Sequence, residues 1–317
     1  MEEGNSHEHL WSIVLAGGDG VRTKDFIRGW LGYDKPKQYC TFLGNRSMFQ
    51  HTLDRAVRLT PWERVVVVAA RHHQSELWAQ LDGRPAGMIV LQPSNADTAA
   101  GVFLPLSHIL ANDPDATVVI YPSDHFIRPS ESFISAVDEA VWGSMVLDGR
   151  AVLLAAKPDS LELEYGWIQP GRFLDWTGKT PIRSVERFVE KPTEAGARRA
   201  SRDASLWNTM ILAVKGRELW RMGKKCFPQI VTLFERYKAA IDTADEMMVL
   251  DGIYDSMPRR NFSKHLLECV PERLAVMEMG EVHWSDWGSP KRIIASLETI
   301  GKCPTMLKDP LPFLYVG

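Results

Sequence analysis

"WSIVLAGGDGVRTKDFIRGWLGYDKPKQY", residues Trp11 to Tyr39, decides how the chain is read. An apolar run stops at three glycines within four positions, Gly17, Gly18 and Gly20. Arg22 follows at once, and Lys35-Pro36-Lys37 begins thirteen positions after that arginine. A short run that is apolar on both faces suits a central parallel strand covered by helices on either side. In open parallel sheets, ligands sit beyond the carboxyl ends of the strands, where loops lead into helices. The glycine loop occupies that place after the first strand.

Similar runs recur outward from this stretch: "RVVVVAA" from Arg64, "GMIVLQ" from Gly87, "TVVIYP" from Thr117 and "AVLLAA" from Ala151. Amphipathic stretches between them predict helices over Met48 to Leu59, His72 to Leu81, Thr98 to Leu110 and Ser130 to Val146, the last two started by Asp97 and by Pro129-Ser130. The alternation predicts an α/β, doubly wound, mostly parallel Rossmann-like sheet with right-handed crossovers. After Lys157 the texture changes. "YGWIQPG" and "IRSVERFVEK" read as antiparallel strands around the turn-rich "DWTGKTP", "LWNTMILAV" offers one more strand, and helices dominate from Lys215 to Val270. The expectation is one continuous domain over 11–300, with a nucleotide half to about 157 and a substrate-side antiparallel half after it. A disordered leader over 1–10 and a tail over 301–317 flank it. The chain ends too soon after this domain for a fused second catalytic domain to be expected.

Composition excludes several classes. Hydrophobic residues make up 45% and charged residues 24%, a balance that excludes a largely disordered chain. Lysine plus arginine number 37 against 40 acids, a net charge of −3, so no global basic field recruits nucleic acid or an anionic membrane. Cys40, Cys226, Cys269 and Cys303 are far apart and form no CxxC pair, which reads as free buried thiols in a reducing compartment. The opening "MEEGNSHEHL" is the reverse of a signal peptide. No apolar run approaches the roughly 20 residues that span a bilayer. The cytoplasm is the expected compartment.

Gly17, Gly18 and Gly20 let backbone approach a phosphate, whose charge the loop amides bind. A purely structural turn is an equal reading of the glycines alone. The loop lacks the GKS or GKT of a P-loop, and GxGxxG fails because Thr23 stands where the third glycine belongs. What remains is GGxGxR followed by PKQ. Arg22 and Lys37 then supply two cations flanking the same phosphates. Further on, Asp124 follows a buried strand and Asp286 precedes a glycine and a proline at the last helix. Two carboxylates 162 residues apart meet only through the fold. Hard oxygen ligands of this kind suit Mg²⁺, although each aspartate taken alone reads more readily as a helix cap. His125 reads as a packed histidine supporting its neighbour.

Eight blocks in order, "LAGGDGVR", "PKQY", "LQPSNADTA", "YPSDHFI", "EYGWIQPG", "VERFVEKP", "LWN" and "WSDWGSP", give the chain its resemblance. It resembles the sugar-1-phosphate nucleotidyltransferases, most closely their mannose-1-phosphate guanylyltransferase branch, over about residues 11–290. The resemblance implies the nucleotide-diphospho-sugar transferase fold and Mg²⁺ held by Asp124 and Asp286. It implies Arg22, Lys37 and Lys191 as catalytic cations. Ala16, Gly17, Gly18, Gly20, Gln92, Asn95 and Thr98 would bind the nucleotide. Tyr165, Gly166, Glu190, Lys191 and Asn208 would bind the sugar phosphate. The partners implied are a nucleoside triphosphate, GTP by preference, and a sugar 1-phosphate, mannose 1-phosphate by preference, with no nucleic acid and no membrane. A homodimer is the oligomeric form carried forward.

The chain departs from the family pattern at Val21, where a threonine is usual, and at Ala96, Ala100 and Trp287. The segment "TKDFIRGWLGYD" is longer than its counterparts, and the expectation is a mobile lid ordered by substrate. Other readings stand beside the first: another base or sugar, such as glucose 1-phosphate, or a catalytically silent homologue that binds nucleotide sugar. A glycosyltransferase lacks its DxD motif here, and an NAD enzyme lacks its fingerprint.

Overall fold

The computed structural model describes residues 7–81, 87–178 and 180–302. Its strands are β1 (Leu10–Leu15), β2 (Val65–Ala70), β3 (Met88–Gln92), β4 (Thr117–Pro122), β5 (Phe126–Arg128), β6 (Ala151–Ala156), β7 (Gly166–Thr177), β8 (Thr180–Glu190), β9 (Leu206–Lys215), β10 (Leu274–Glu278) and β11 (His283–Ser285). Nine of them form one sheet in the order β3-β2-β1-β4-β9-β6-β10-β8-β7. The β3-β2-β1-β4 block is parallel, as is the β6-β10 pair, while β9 and β8 run against their neighbours. This is the expected mixed α/β sheet, mostly of one direction, with its antiparallel excursion in the second half.

Alternation along the strands divides the core into two layers. Ile13, Val66, Val68, Val118 and Ile120 pack on one face with Phe103, Phe227 and Phe234. Val14, Val65, Val67, Val119 and Tyr121 pack on the other with Phe49, Leu77 and Phe133. The strands are therefore buried on both faces, which explains their unbroken apolar runs. Because one sheet crosses both halves of the chain, the two halves share both core layers.

Four sequence expectations shift at their edges. The leader was expected to reach residue 10, but Leu10 is buried and begins β1, pairing with Thr117, so order starts earlier; residues 1–6 lie outside the described residues. Asp97 does not cap its helix from outside: the helix Asp97–Asn112 includes it, with φ at +69°, and its carboxylate accepts the Thr98 amide instead. "DWTGKTP" is mostly strand, with Thr177 paired to Thr180, because the aromatic and β-branched side chains of Trp176, Thr177 and Thr180 favour extended backbone. Of the expected buried thiols only Cys40 is buried; Cys226 is half-buried and Cys269 exposed. Cys303 and the rest of the expected tail past 302 lie outside the described residues. No helix among the described residues is long and apolar enough to cross a membrane.

The segment expected as a mobile lid is a docked helix, Lys24–Leu31. Its Ile27 is buried in a third small core with Phe42, Phe126, Trp287 and Ile293. Trp30 stacks on Phe42 at 5.2 Å, and Phe42 meets Trp287 edge-on at 5.1 Å. Two departures from the family pattern, the long segment and Trp287, thus pack through a common neighbour. The added length forms a helix with an apolar face to bury, and Trp287 supplies part of the surface that buries it.

Candidate active site

A two-stranded ribbon brings the two aspartates together. Asp124 precedes β5 and Asp286 follows β11, and these strands pair antiparallel with Ser285 opposite Phe126 and Trp284 opposite Ile127. Residues 162 apart in sequence therefore leave the ribbon on the same side. Lys37 lies between them. Its Nζ is 2.9 Å from Asp124 Oδ2, donates to the Asp286 carbonyl, and donates to the Trp287 carbonyl at 3.2 Å. The ammonium is nearly inaccessible, while the Asp124 carboxylate faces the cleft with 39% of its side chain exposed.

Asp286 is held more tightly. Its Oδ1 accepts from the Tyr165 hydroxyl at 2.9 Å and the Gly288 amide at 2.8 Å, and Arg292 Nε lies 3.2 Å away. Burial works against both carboxylates being charged. The charge and hydrogen bond of Lys37 together offset it at Asp124, and the charges of Lys37 and Arg292 with the Gly288 amide together offset it at Asp286, so both are held below the ordinary range. Burial also pushes His125 down to about 4, which keeps it neutral. Its Nδ1 accepts from Trp284 Nε1 at 3.1 Å. This is the supporting role read from the sequence.

Arg22, Gly20, Lys37, Asp124 and Gly288 line one cavity of about 220 Å³. Gly17, Gly18, Gln92, Asn95 and Thr98 line another of about 160 Å³ at the ends of β1, β2 and β3. The loop between them is clasped by Gln38, whose Nε2 donates to the carbonyls of Ala16 and Gly18 at 2.9 Å each. Gly20 has φ at +61°, a region that glycine enters without strain. A Cβ on Gly17 would stand 2.7 Å from Gln92 Nε2. Gln92 Oε1 in turn accepts from the Tyr254 hydroxyl at 3.2 Å. Asn95 and Thr98 are partly committed within the protein: Asn95 donates to Asp19, and Thr98 Oγ1 accepts the Phe262 amide at 2.8 Å.

The residues expected to bind the sugar phosphate gather around Gly166. Its missing Cβ would meet Glu190 Oε2 at 2.6 Å and the Asn208 Cβ at 3.1 Å. Glu190 Oε2 is buried without a hydrogen-bond partner. Burial pushes this carboxyl up to about 7, with Glu268 adding to the shift and Lys191 opposing it. Asn208 braces a bulge in β9 instead of pointing both polar atoms outward: Oδ1 accepts the Met210 amide at 3.1 Å and Nδ2 donates to Ser263 at 3.4 Å. Lys191 donates its amide to the Tyr165 carbonyl at 3.2 Å. Lys191, Met210, Asp97 and Trp287 all have positive φ, and each adjoins or belongs to the residues of this site.

Glu164 ties the groups together. Its Oε2 lies 3.4 Å from Arg22 Nη1 and 3.5 Å from Lys191 Nζ, and Arg22 also reaches Asp286 Oδ2 at 3.3 Å. Sequence reading missed Glu164, Gln38 and Arg292. The first two lay inside the blocks "EYGWIQPG" and "PKQY", so block membership was the available signal; Arg292 had none.

These features set a glycine loop beside a Lys-Asp-Asp cluster, with Tyr165 and Glu164 linking that cluster to the group packed around Gly166. The Nucleotidyl transferase family profile matches residues 11–302. The chain belongs to the nucleotidyl transferase family. Among the relatives of this nucleotidyl transferase is the Xanthan biosynthesis protein XanB of Xanthomonas campestris pv. campestris (strain B100), 27% identical over 294 residues, covering 92% of this chain and 60% of that protein. Another is a mannose-1-phosphate guanylyltransferase of Escherichia coli, 27% identical over 288 residues and covering 88% and 58%. The chain thus spans about 60% of the length of these curated relatives. The fold is shared with a solved structure named mannose-1-phosphate geranyltransferase, from Thermus thermophilus, at a TM-score of 0.74 and 24% identity, covering 88% of this chain and 76% of that one. It is also shared with UDP-glucose pyrophosphorylase from acinetobacter baumanii, at a TM-score of 0.56 and 13% identity over 92% of this chain and 93% of that one.

Proposed function

We propose that this nucleotidyl transferase condenses a nucleoside triphosphate with a sugar 1-phosphate to give a nucleoside-diphosphate sugar and pyrophosphate. GTP and mannose 1-phosphate are the preferred pair, a choice supported by the names of the 27%-identical relatives. The observation that carries the reading is Lys37, which joins the Asp124 carboxylate to the backbone of Asp286 beside the glycine loop.

A sugar 1-phosphate is ionised at neutral pH, so its oxygen attacks the α-phosphorus without a general base. The cleft matches that economy: His125 is neutral and bonded to Trp284, and it offers no proton relay. The reaction needs in-line positioning and neutralisation of converging anions. Arg22 and Lys191, both half exposed and both paired with Glu164, are free to exchange that carboxylate for substrate phosphates. Lys37 is fixed and holds Asp124 in place. The unpartnered Glu190 carboxyl beside Gly166 suits a sugar hydroxyl.

The donor set also fits Mg²⁺. Asp124 and Asp286 are hard oxygen ligands held ionised, and one of them opens on the phosphate cavity, as a cation with few protein ligands requires. Bound there, the ion would neutralise charge on the transferring phosphoryl group. Base choice is tested by equilibrium binding of the four nucleoside triphosphates. Tightest binding of GTP supports guanine, and equal affinities would remove that preference while leaving the reaction class intact.

A further inference from the structure

A second cavity, of about 400 Å³, adjoins the catalytic ribbon and contains none of the residues assigned above to substrate. Its lining carries four cations, Arg46, Arg55, Arg128 and Lys302, and no carboxylate. With Arg46 neutralised by Asp54 just outside the lining, Arg55, Arg128 and Lys302 still concentrate positive charge here in a protein whose net charge is −3. Phe126 and Trp287 give the cavity an apolar wall, stacked at 4.8 Å with their planes nearly parallel.

Arg55 is the decisive residue. It projects from the helix Met48–Ala56 and is only 6% exposed. Its guanidinium donates to Thr52 Oγ1 at 2.9 Å and lies over the Phe133 ring, yet its Nε is buried with no acceptor. No carboxylate comes within ion-pair distance of it among the described residues. Arg46, by contrast, is occupied by Asp54. Asp54 acts on Arg55 only from beyond ion-pair distance and is itself engaged by Arg46; a buried guanidinium so weakly compensated is costly, and an anion entering the cavity relieves that cost. Arg128 is exposed and has no ion pair among the described residues. The helix Ser130–Val146 also starts at this cavity, with no side chain capping its first turn, so its end favours negative charge as well.

We propose that this cavity is a second ligand site, for a small phosphorylated metabolite whose phosphate pairs with Arg55 and Arg128 and whose less polar body lies on Phe126 and Trp287. The site stands apart from the substrate assignment, since none of its evidence depends on it. It is placed to influence catalysis. Trp287 and His125 line it, and they are the chain neighbours of Asp286 and Asp124; the Trp287 carbonyl also accepts from Lys37. An occupant is therefore an effector that acts through the ribbon.

The test is thermal unfolding of the full chain with inorganic phosphate as the probe, in the wild type and in the Arg55→Met and Arg128→Ala variants. A ligand bound only by the folded chain raises Tm with its concentration. General salt stabilisation and any phosphate bound in the catalytic cleft act in all three chains, so the differences between chains report this cavity. Arg55→Met is expected to match or exceed the wild-type Tm without phosphate, because it removes a buried charge that has no ion pair, and to lose the site-specific rise. Arg128→Ala is expected to keep the wild-type Tm and to need about tenfold more phosphate for the same rise. Identical phosphate responses in the three chains would overturn the proposal. If Arg55→Met does not fold, Arg128→Ala decides alone: a weakened response supports the site and an unchanged one overturns it.

Discussion

Lys37 and Asp124 form an ion pair at 2.9 Å in which the lysine is almost fully buried and the aspartate is not. The same ammonium fixes the backbone of Asp286 and Trp287, 249 and 250 residues away. Lys37 is therefore a pin holding the carboxylates in register, as well as a positive charge near phosphate. Replacing it by methionine leaves Asp124 and two carbonyls without their donor. Lys37→Met is expected to lower turnover by about 100- to 1,000-fold and stability by about 3 kcal/mol. Pyrophosphate release and urea unfolding measure the two. A stable variant with near-normal turnover would remove Lys37 from both roles.

Gly17 and Gln92 are coupled by contact. An alanine at 17 would place its Cβ 2.7 Å from the Gln92 amide, which is itself held by Tyr254. Gly17→Ala is therefore expected to weaken nucleoside triphosphate binding by about tenfold, and Gln92→Ala is expected to cost less on that background than alone, because it also removes the clash. Additive losses in the double variant, read by calorimetry, would show that the two positions do not interact.

The helix Lys24–Leu31 is anchored through Ile27, which is 1% exposed. Ile27→Ala removes the deepest contact of this short helix and is expected to cost about 2 kcal/mol of local stability. Limited proteolysis then cuts within residues 24–34 more than tenfold faster, since cleavage follows the open population. Unchanged cleavage would mean that the helix is held by its other contacts.

Glu190 gives a pH signature. Its folded-state pKa of about 7 stands above its ordinary 4.5, so between those values the folded chain binds a proton that the unfolded chain has released. Stability is accordingly complete below about 4.5 and falls as pH rises through about 7. Glu190→Gln is expected to stabilise the protein by about 1–2 kcal/mol at pH 8, discounted for partial exposure, and to change little at pH 4. Denaturant titrations at the two pH values check this; an equal effect at both would deny the raised pKa.

The sheet was legible because its strands are apolar on both faces, a pattern that few other structures share. "TVVIYP" and "AVLLAA" became β4 and β6 with their ends in place. The meeting of Asp124 and Asp286 was legible only as an expectation from family blocks, since β5 and β11 are three residues each and too short to carry a periodic signal. Asn208 was read as a sugar ligand, but a bulge whose presence no local pattern announces turns much of its amide inward. The docking of the segment expected as a lid was hidden for a different reason. An insertion looks mobile in sequence when its partners are distant, and those of Ile27 include Trp287 and Ile293 at the far end of the chain.

The central claim is that Lys37, Asp124, Asp286 and the glycine loop serve nucleotidyl transfer to a sugar 1-phosphate. The most direct measurement is pyrophosphate release with Mg²⁺ across a matrix of four nucleoside triphosphates and several sugar 1-phosphates, with the wild type and Asp124→Ala side by side. The expected result is release only where triphosphate and sugar phosphate are both present, fastest for GTP with mannose 1-phosphate, and none from Asp124→Ala. Absence of release across the whole matrix, or equal release from Asp124→Ala, would contradict it.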